Sequence, residues 1–341
     1  MSFPKDPIRV ACLGAGYFSR FHYDAWARID RARPVASVNR DITKAEATGL
    51  PAYARLDEML AAETPDLLDI ITPPETHLQA ICTALDHGVR AIICQKPFCK
   101  NIDEAREAVA LARAADVPLI VHENFRFQPW YRTMRRAIDE GAIGEVHQIT
   151  FRLRTGDGQG PRAYLDRQPY FQDMPRFLIH ETAVHWIDTF RYLLGEPDRM
   201  FADLRRLNPA IKGEDAGYLL MSYADGRRAL FDGNRLLDHA ADNPRTTLGE
   251  CLVEGSTGTL TLDGWGRVAR RAFGAAEAQV ILDRQDWPGF AGDCVHALQT
   301  HVISGLLDGT PLENRAEDYL KNILLEDAAY ASDAAGRQIE V

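Results

Sequence analysis

Ile8-Arg9-Val10-Ala11-Cys12-Leu13-Gly14-Ala15-Gly16-Tyr17-Phe18-Ser19 decides how the first part of this chain folds. Its opening six residues are mostly apolar and read as a strand covered on both faces, as in a parallel sheet. Gly14 and Gly16 follow at once, and a helix-like segment begins after them. Gly14 permits a tight turn, Gly16 lets a pyrophosphate come close to the backbone, and the helix N-terminus receives its charge. Tyr17 and Phe18 belong to the same turn as candidate cofactor contacts. The third position of this glycine pattern is Ser19, small enough for close strand–helix packing. A glycine turn that binds nothing is the alternative reading.

Outward from this turn, short apolar runs recur at 34–38, 67–71, 89–94 and 119–121, with helical spacing between them. Residues 76–85 put Leu78, Ile81, Cys82 and Leu85 on one stripe. Ile102–Ala114 does the same with Ala105, Val109 and Ala112, behind Asn101 and Asp103 at its capped start. The alternation predicts a doubly wound Rossmann domain over residues 1–123. Its second strand ends Val38-Asn39-Arg40-Asp41. An acid at that point reads the ribose hydroxyls of NAD, whereas an arginine suits the 2′-phosphate of NADP. Asn39 can bond a hydroxyl, and Arg40 can stack on adenine or meet a phosphate. The expectation is NAD or NADP, with NAD slightly favoured.

Beyond about residue 125 the pattern alternates apolar and polar. Val146–Leu153 and the runs 216–223, 228–233, 247–254 and 257–262 read as an antiparallel sheet with one covered face. An amphipathic helix at 180–194 stops at Gly195, with Pro197 beyond. Two further helices are expected at 291–307 and at Ala316–Ala335. Residues 155–175 read as a long loop, in which Tyr164 and Tyr170, with Arg176 just past it, either cover a substrate or are solvated. The expected fold is therefore α/β. An N-terminal Rossmann domain is joined to a C-terminal α/β domain (124–341) with an open, mostly antiparallel sheet. That second domain is expected to bind substrate and to pair subunits into a dimer or tetramer.

The totals fit this division. At 341 residues the chain exceeds one ordinary core, and 46% hydrophobic with 26% charged residues is globular composition. A formal charge of −10 disfavours nucleic acid and anionic membranes as partners. No export signal or spanning segment is evident, and six cysteines without a CxxC pair read as reduced thiols, so a cytoplasmic location is expected.

Further motifs carry a resemblance. Thr72-Pro73-Pro74-Glu75-Thr76-His77 is followed by Cys94-Gln95-Lys96-Pro97-Phe98 and then Asn124-Phe125-Arg126-Phe127-Gln128-Pro129. Later come Glu181, His185 and Asp188, and finally Glu317-Asp318-Tyr319 and Ala328-Ala329-Tyr330-Ala331-Ser332. With the glycine turn, these resemble the Gfo/Idh/MocA oxidoreductases along essentially the whole chain. The resemblance implies hydride transfer between a nicotinamide cofactor and a hydroxyl carbon of a sugar, sugar acid or polyol. It implies cofactor contacts from Thr72, Pro73, His77, Gln95 and Lys96, substrate contacts from Asn124, Arg126, Glu181 and His185, and a cis Lys96–Pro97 peptide. Three positions depart from the family pattern: Gln95 stands where Glu is usual, Glu181 where Asp is usual, and Ala183 where Gly is usual. The Gln-Lys-Pro form with Asn39-Arg40 is similar to the branch that holds apiose dehydrogenases, which points to a small aldose.

The implied roles suit the chemistry. Oxidising an alcohol needs a base for the hydroxyl proton, and a neutral imidazole at His185 can serve. Lys96, just past a strand end, can hold the substrate oxygen and stabilise alkoxide charge. Glu181, four residues before His185, projects from the same face of the helix and can orient a substrate hydroxyl or the imidazole. His180 and His185 are spaced i, i+5 rather than the i, i+4 of a helical zinc pair, so no metal is expected. His122 is a weaker candidate near the same cleft. Two other readings of the same fold stay open: a regulator that binds the cofactor without turnover, and a glycosidase or isomerase that recycles it in place.

Overall fold

The apolar runs of the first half become a six-stranded sheet in which every pairing is parallel. Its strands are β1 (Ile8–Leu13), β2 (Ala32–Val38), β3 (Ala52–Tyr53), β4 (Leu67–Ile70), β5 (Ala91–Gln95) and β6 (Leu119–His122). They lie in the order β3-β2-β1-β4-β5-β6, and every residue of β4, β5 and β6 is buried. The winding reverses between β1 and β4, so their carboxyl ends, Leu13–Gly14 and Ile70–Thr72, flank the switch point where α/β sheets take ligands. β3 was not expected, because two residues are too few to show a period.

The computed structural model describes residues 6–341, which fall into two compact units. The first holds the chain up to Asn124 together with Val295–Ile323; the second holds Phe125–Cys294 and Leu324–Val341. The sequence placed one boundary at 123/124 and gave everything beyond it to the second half, but residues 295–323 return to the first unit. Physical ties hold them there. Ile120 bridges Arg315, the Val121 N–H donates to the Asn314 carbonyl (2.9 Å), and Arg31 forks onto Asp308 (2.7 and 2.9 Å).

The second unit is built on a nine-stranded sheet. To β7 (Val146–Leu153) it adds β8 (Arg199–Arg205), β9 (Ala216–Ser222), β10 (Arg228–Asn234), β11 (Gly249–Gly255) and β12 (Gly258–Leu262). β13 (Val268–Ala272), β14 (Gln279–Leu282) and β15 (Ile339–Glu340) complete it. The order is β14-β13-β12-β11-β7-β10-β9-β8-β15, antiparallel except where β10 meets β7. β8, β13, β14 and β15 escaped the sequence reading: β8 and β13 each carry two arginines, and β15 has two residues. The helix Val184–Leu194 packs on the inner face, with the Trp186 ring stacked on Phe151 (4.2 Å) and tilted against Phe231 (5.5 Å).

Two expected helices begin differently. The helix at 180–194 starts as a π-turn, Leu178–Ala183, and becomes α-helical only from Val184. The helix expected at 291–307 spans Phe290–Asp308, but Ala291, Gly292 and Asp293 have positive φ, so its regular part begins at Cys294.

Candidate functional site

The glycine turn of the first unit is held by its neighbours while leaving room for a ligand. Gly14 has φ +115°, and a Cβ there would lie 2.9 Å from the Ile71 carbonyl oxygen, so both backbone freedom and close approach require glycine. Gly16 differs: a Cβ there would meet nothing within 4 Å. The protein itself does not need a glycine at that point, which fits a surface kept bare for a pyrophosphate. The helix Ser19–Ala27 that follows has no side-chain cap, so its first N–H groups can face an anion. Ser19 is buried and donates to the Gly16 carbonyl (2.7 Å). Tyr17 carries the Arg20 guanidinium over its ring at 4.4 Å, and Phe18 meets His22 edge-on at 5.8 Å.

Asn39 proves to be part of this turn. Its Oδ1 accepts the Ala15 N–H (3.1 Å) and its Nδ2 donates to the Asp41 carbonyl (2.9 Å). Arg40 is exposed and has no side-chain partner among the described residues. Both residues expected at the ribose thus keep donors to offer: Arg40 its whole guanidinium, and the half-buried Asn39 the second N–H of an amide that also holds the loop.

A second loop lies at the ends of β4 and β5. His77 is fully buried; its Nε2 meets the Thr72 carbonyl oxygen at 2.7 Å, and its Nδ1 accepts the Cys99 N–H at 3.3 Å. A carbonyl can only accept and an amide can only donate, so the proton must sit on Nε2. Burial pushes the imidazole down to about 4, and it stays neutral. His77 therefore ties the Thr72-Pro73 segment to the segment after Lys96. The Lys96–Pro97 peptide is cis. The Lys96 N–H donates to Gln95 Oε1 (2.8 Å), and the Gln95 amide nitrogen lies 3.0 Å from His22 Nε2.

In the second unit His185 is buried, with its ring stacked flat on Phe125 at 3.8 Å and 5°. The stack fixes the plane of the imidazole, and its nitrogens lie at the ring edge. Arg126 forks onto the buried Asp188 (2.8 and 2.7 Å), so this arginine is committed to an ion pair. His180 Nδ1 lies 2.6 Å from Glu326 Oε1.

Glu181 corrects one expectation. Because it sits in the π-turn, four residues to His185 no longer equal one α-helical turn, and the shared helical face does not apply. Glu181 accepts instead from Thr182 Oγ1 (2.7 Å) and lies 3.9 Å from Arg235. Arg235 is the residue the sequence reading missed. It is buried, donates to Thr182 Oγ1 (2.7 Å), and forks onto Asp157 (3.2 and 2.7 Å). The rings of Tyr164, Phe171 and Phe177 surround its guanidinium carbon at 5.0, 5.6 and 4.8 Å. Burial pushes the Asp157 carboxyl up, but Arg235, Thr155 and Arg167 outweigh it and hold it below its usual range. The 155–175 segment is thus anchored rather than solvated. Tyr164 is buried within it, Tyr170 is exposed, and Arg176 pairs with Asp327 (2.9 Å).

The predicted residues thus gather into a set in each unit. Gly14, Gly16, Tyr17, Phe18, Asn39, Arg40, Thr72, Pro73, His77, Gln95, Lys96 and Asn124 belong to the first, and Arg126, Glu181 and His185 to the second. The His122 ring lies tilted against His22 at 4.1 Å inside the first. Among the described residues no helix is long and apolar enough to cross a membrane.

Comparison with known proteins bears on both sets. Residues 8–123 match the oxidoreductase family with an NAD-binding Rossmann fold, and residues 131–261 match the Gfo/Idh/MocA C-terminal domain. A D-apiose dehydrogenase of Paraburkholderia graminis is 33% identical over 98% of this chain and 90% of its own length. An inositol 2-dehydrogenase of Rhizobium meliloti is 27% identical over 98% and 99%. An oxidoreductase of Agrobacterium radiobacter, crystallised with NAD+, L-tartaric acid and magnesium, superimposes with a TM-score of 0.88 at 28% identity, covering 98% of each chain.

Proposed function

Because this chain belongs to the Gfo/Idh/MocA oxidoreductase family, we propose that it is an NAD-dependent dehydrogenase that oxidises a hydroxyl carbon of a small aldose. The supporting observation is the Gly14–Gly16 turn: rigid where the protein needs glycine and bare where only a ligand would. The first unit also carries Lys96, a cation suited to stabilising alkoxide charge, and the second carries His185, an imidazole suited to taking a hydroxyl proton. The relatives named D-apiose dehydrogenase, at 33% and 29% identity, favour a small aldose over a cyclitol.

The residues divide the work as follows. The uncapped start of Ser19–Ala27 and the bare Gly16 hold the pyrophosphate, and Arg40 meets the adenosine end. When bound, NAD supplies the acceptor for the hydride that leaves the sugar carbon. Lys96 donates a hydrogen bond to the reacting hydroxyl oxygen and stabilises negative charge as the O–H proton departs. His185 is suited to accept a hydroxyl proton on a ring nitrogen, and loss of a proton and a hydride turns an anomeric hydroxyl into the carbonyl of a lactone. Glu181, steadied by Thr182 and Arg235, accepts hydrogen bonds from the remaining hydroxyls. The test is a steady-state assay of the purified protein with NAD and NADP against D-apiose, other aldoses, aldonates and inositols, read as absorbance of reduced nicotinamide. Turnover of a small aldose with NAD is expected; reduction by none of these sugars would overturn the proposal.

The second unit also suits self-association. Leu220, Leu230, Thr150 and Leu252 form one cross-sheet row on adjacent strands, on the face opposite the core residues Leu219, Phe231, Phe151 and Cys251. We infer that this row pairs with a second copy. Sedimentation should show an oligomer that Leu230→Glu shifts toward monomer. The six cysteines stand as free thiols, which suits a reducing compartment such as the cytoplasm.

A further inference from the structure

We propose that Asp69, His22 and Gln95 form a buried strut with a fixed proton arrangement, which positions the backbone of Lys96, and that Gln95 sets which ring nitrogen of His22 carries the hydrogen. The inference rests on Lys96 acting as proposed above, but its geometry is independent of that role and lies within the first unit.

Each hydrogen in the strut is dictated by the group at its end. The Lys96 backbone can only donate, so the Gln95 atom 2.8 Å away must be the carbonyl oxygen. That choice turns the Gln95 NH2 toward His22 Nε2 at 3.0 Å. An amide NH2 can only donate, so His22 Nε2 must be bare. The one ring proton is then on Nδ1 and points at Asp69 Oδ2, 2.8 Å away. The same Asp69 oxygen accepts from Trp26 Nε1 (2.8 Å), and Gln299 approaches it at 3.4 Å. His22 and Asp69 are fully buried and Gln95 nearly so, so water does not compete for these bonds.

The surroundings leave this arrangement undisturbed. His22 faces Asp69 from β4, Gln95 from β5, and the ring of His122 from β6 at 4.1 Å. Phe18 meets its edge. The thiols of Cys12 on β1 and Cys94 on β5 are pushed well up by burial and stay uncharged. A carboxylate at position 95 behaves differently. It has no N–H to give, so its contact with His22 survives only if Nε2 takes a second proton. Gln95 removes that requirement, and with it a pH-sensitive element directly behind Lys96.

The test joins a spectrum to a pH profile. In the full-length protein, 15N-resolved histidine side-chain spectra should show His22, assigned by its absence in His22→Phe, as the tautomer with Nδ1 protonated and Nε2 bare. In Gln95→Glu the His22 signal should become that of an imidazolium at low pH. kcat/KM of that variant should be near wild type there, then fall about tenfold as pH rises and the Nε2 proton leaves, the scale of one hydrogen bond worth ~1.4 kcal/mol. Both ends of the profile are measured at saturating NAD, so that any change in cofactor affinity does not enter. A protonated Nε2 in the wild type would overturn the strut, as would a Gln95→Glu variant whose His22 spectrum and pH profile match wild type. A protein that oxidised no sugar yet showed this tautomer would overturn the catalytic reading and leave the strut standing.

Discussion

The glycine turn in the first unit and the Glu181 nest in the second are built in opposite ways. The turn is made by backbone within a few residues, and its long-range support is Asn39 on Ala15 and the Ile71 carbonyl under Gly14. The nest is made by side chains from far along the chain: Arg235 reaches Asp157, 78 residues away, and Thr182, 53 residues away. Backbone geometry that only glycine can satisfy leaves its mark in the sequence. A side-chain cluster whose members lie on separate strands and loops leaves almost none. The contrast predicts that mutations in the turn will separate binding from folding, whereas mutations in the nest will disturb both together.

The largest effect should come from the side chain assigned to the chemistry. His185→Ala should lower turnover by roughly 10²–10⁴, the usual worth of a positioned acid–base group. NAD affinity, carried by the first unit, should stay nearly intact when measured by cofactor fluorescence. Near-normal turnover would move the base to another group, and the Phe125 stack would then be packing alone.

Next is the nest. Arg235→Ala leaves the half-buried Asp157 carboxylate with Arg167 as its remaining cation, a loss below the ~3–5 kcal/mol of a fully buried pair, which urea unfolding should read. Its pH dependence has a definite sign. Asp157 is held below its usual range in the folded state, so the stability it contributes is present above its unfolded value near ~3.9 and is lost as pH falls through the lower folded value. In Arg235→Ala the depression should lessen, since only Thr155 and Arg167 remain to oppose burial, and Asp157 should protonate at a higher pH than in wild type. Equal stability of mutant and wild type at neutral pH would show that Arg235 does not hold the 155–175 segment.

How much was legible follows the same line. Five of the six parallel strands could be read, because apolar runs broken by helical spacing are a strong signal. The positions of Gly14–Gly16 just past β1 and of Thr72–His77 just past β4 could be placed as well. That the Asn39 amide is also engaged within the loop was not legible, since spacing cannot tell a ligand contact from a loop strut. In the second unit the π-turn at Leu178–Ala183 has the same amphipathic spacing as an α-helix over so short a stretch. Arg235 ends a strand and looks like any solvated cation until Tyr164, Phe171 and Phe177 are seen around it. The return of residues 295–323 to the first unit was invisible because a helix pattern names no partner.

A third effect, smaller, splits the two glycines. Gly14→Ala should lower the melting temperature, since φ +115° and the Ile71 carbonyl at 2.9 Å both oppose a Cβ, at about 1–3 kcal/mol. Gly16→Ala should fold like wild type, because its Cβ meets open space, yet bind NAD more weakly. Equal melting and equal binding in Gly16→Ala would mean that no ligand approaches there.

The smallest effect is expected at Arg40, and its size decides what that residue is for. It is exposed and without a partner among the described residues, so nothing in the fold depends on it and Arg40→Ala should leave stability within about 0.5 kcal/mol of wild type. An exposed cation near a ribose contributes little to a ligand that carries no charge at that point, so NAD affinity should drop only a few-fold, within the ~1 kcal/mol typical of exposed charge interactions. NADP places a phosphate there, and a guanidinium that can fork onto it should matter more. Titrating both cofactors against wild type and Arg40→Ala therefore reads the ratio of the two losses. A ratio well above one, with NAD still preferred in the wild type, would mean that Arg40 tolerates the phosphate without selecting it. Equal losses would place the side chain on the adenine face, where both cofactors are alike.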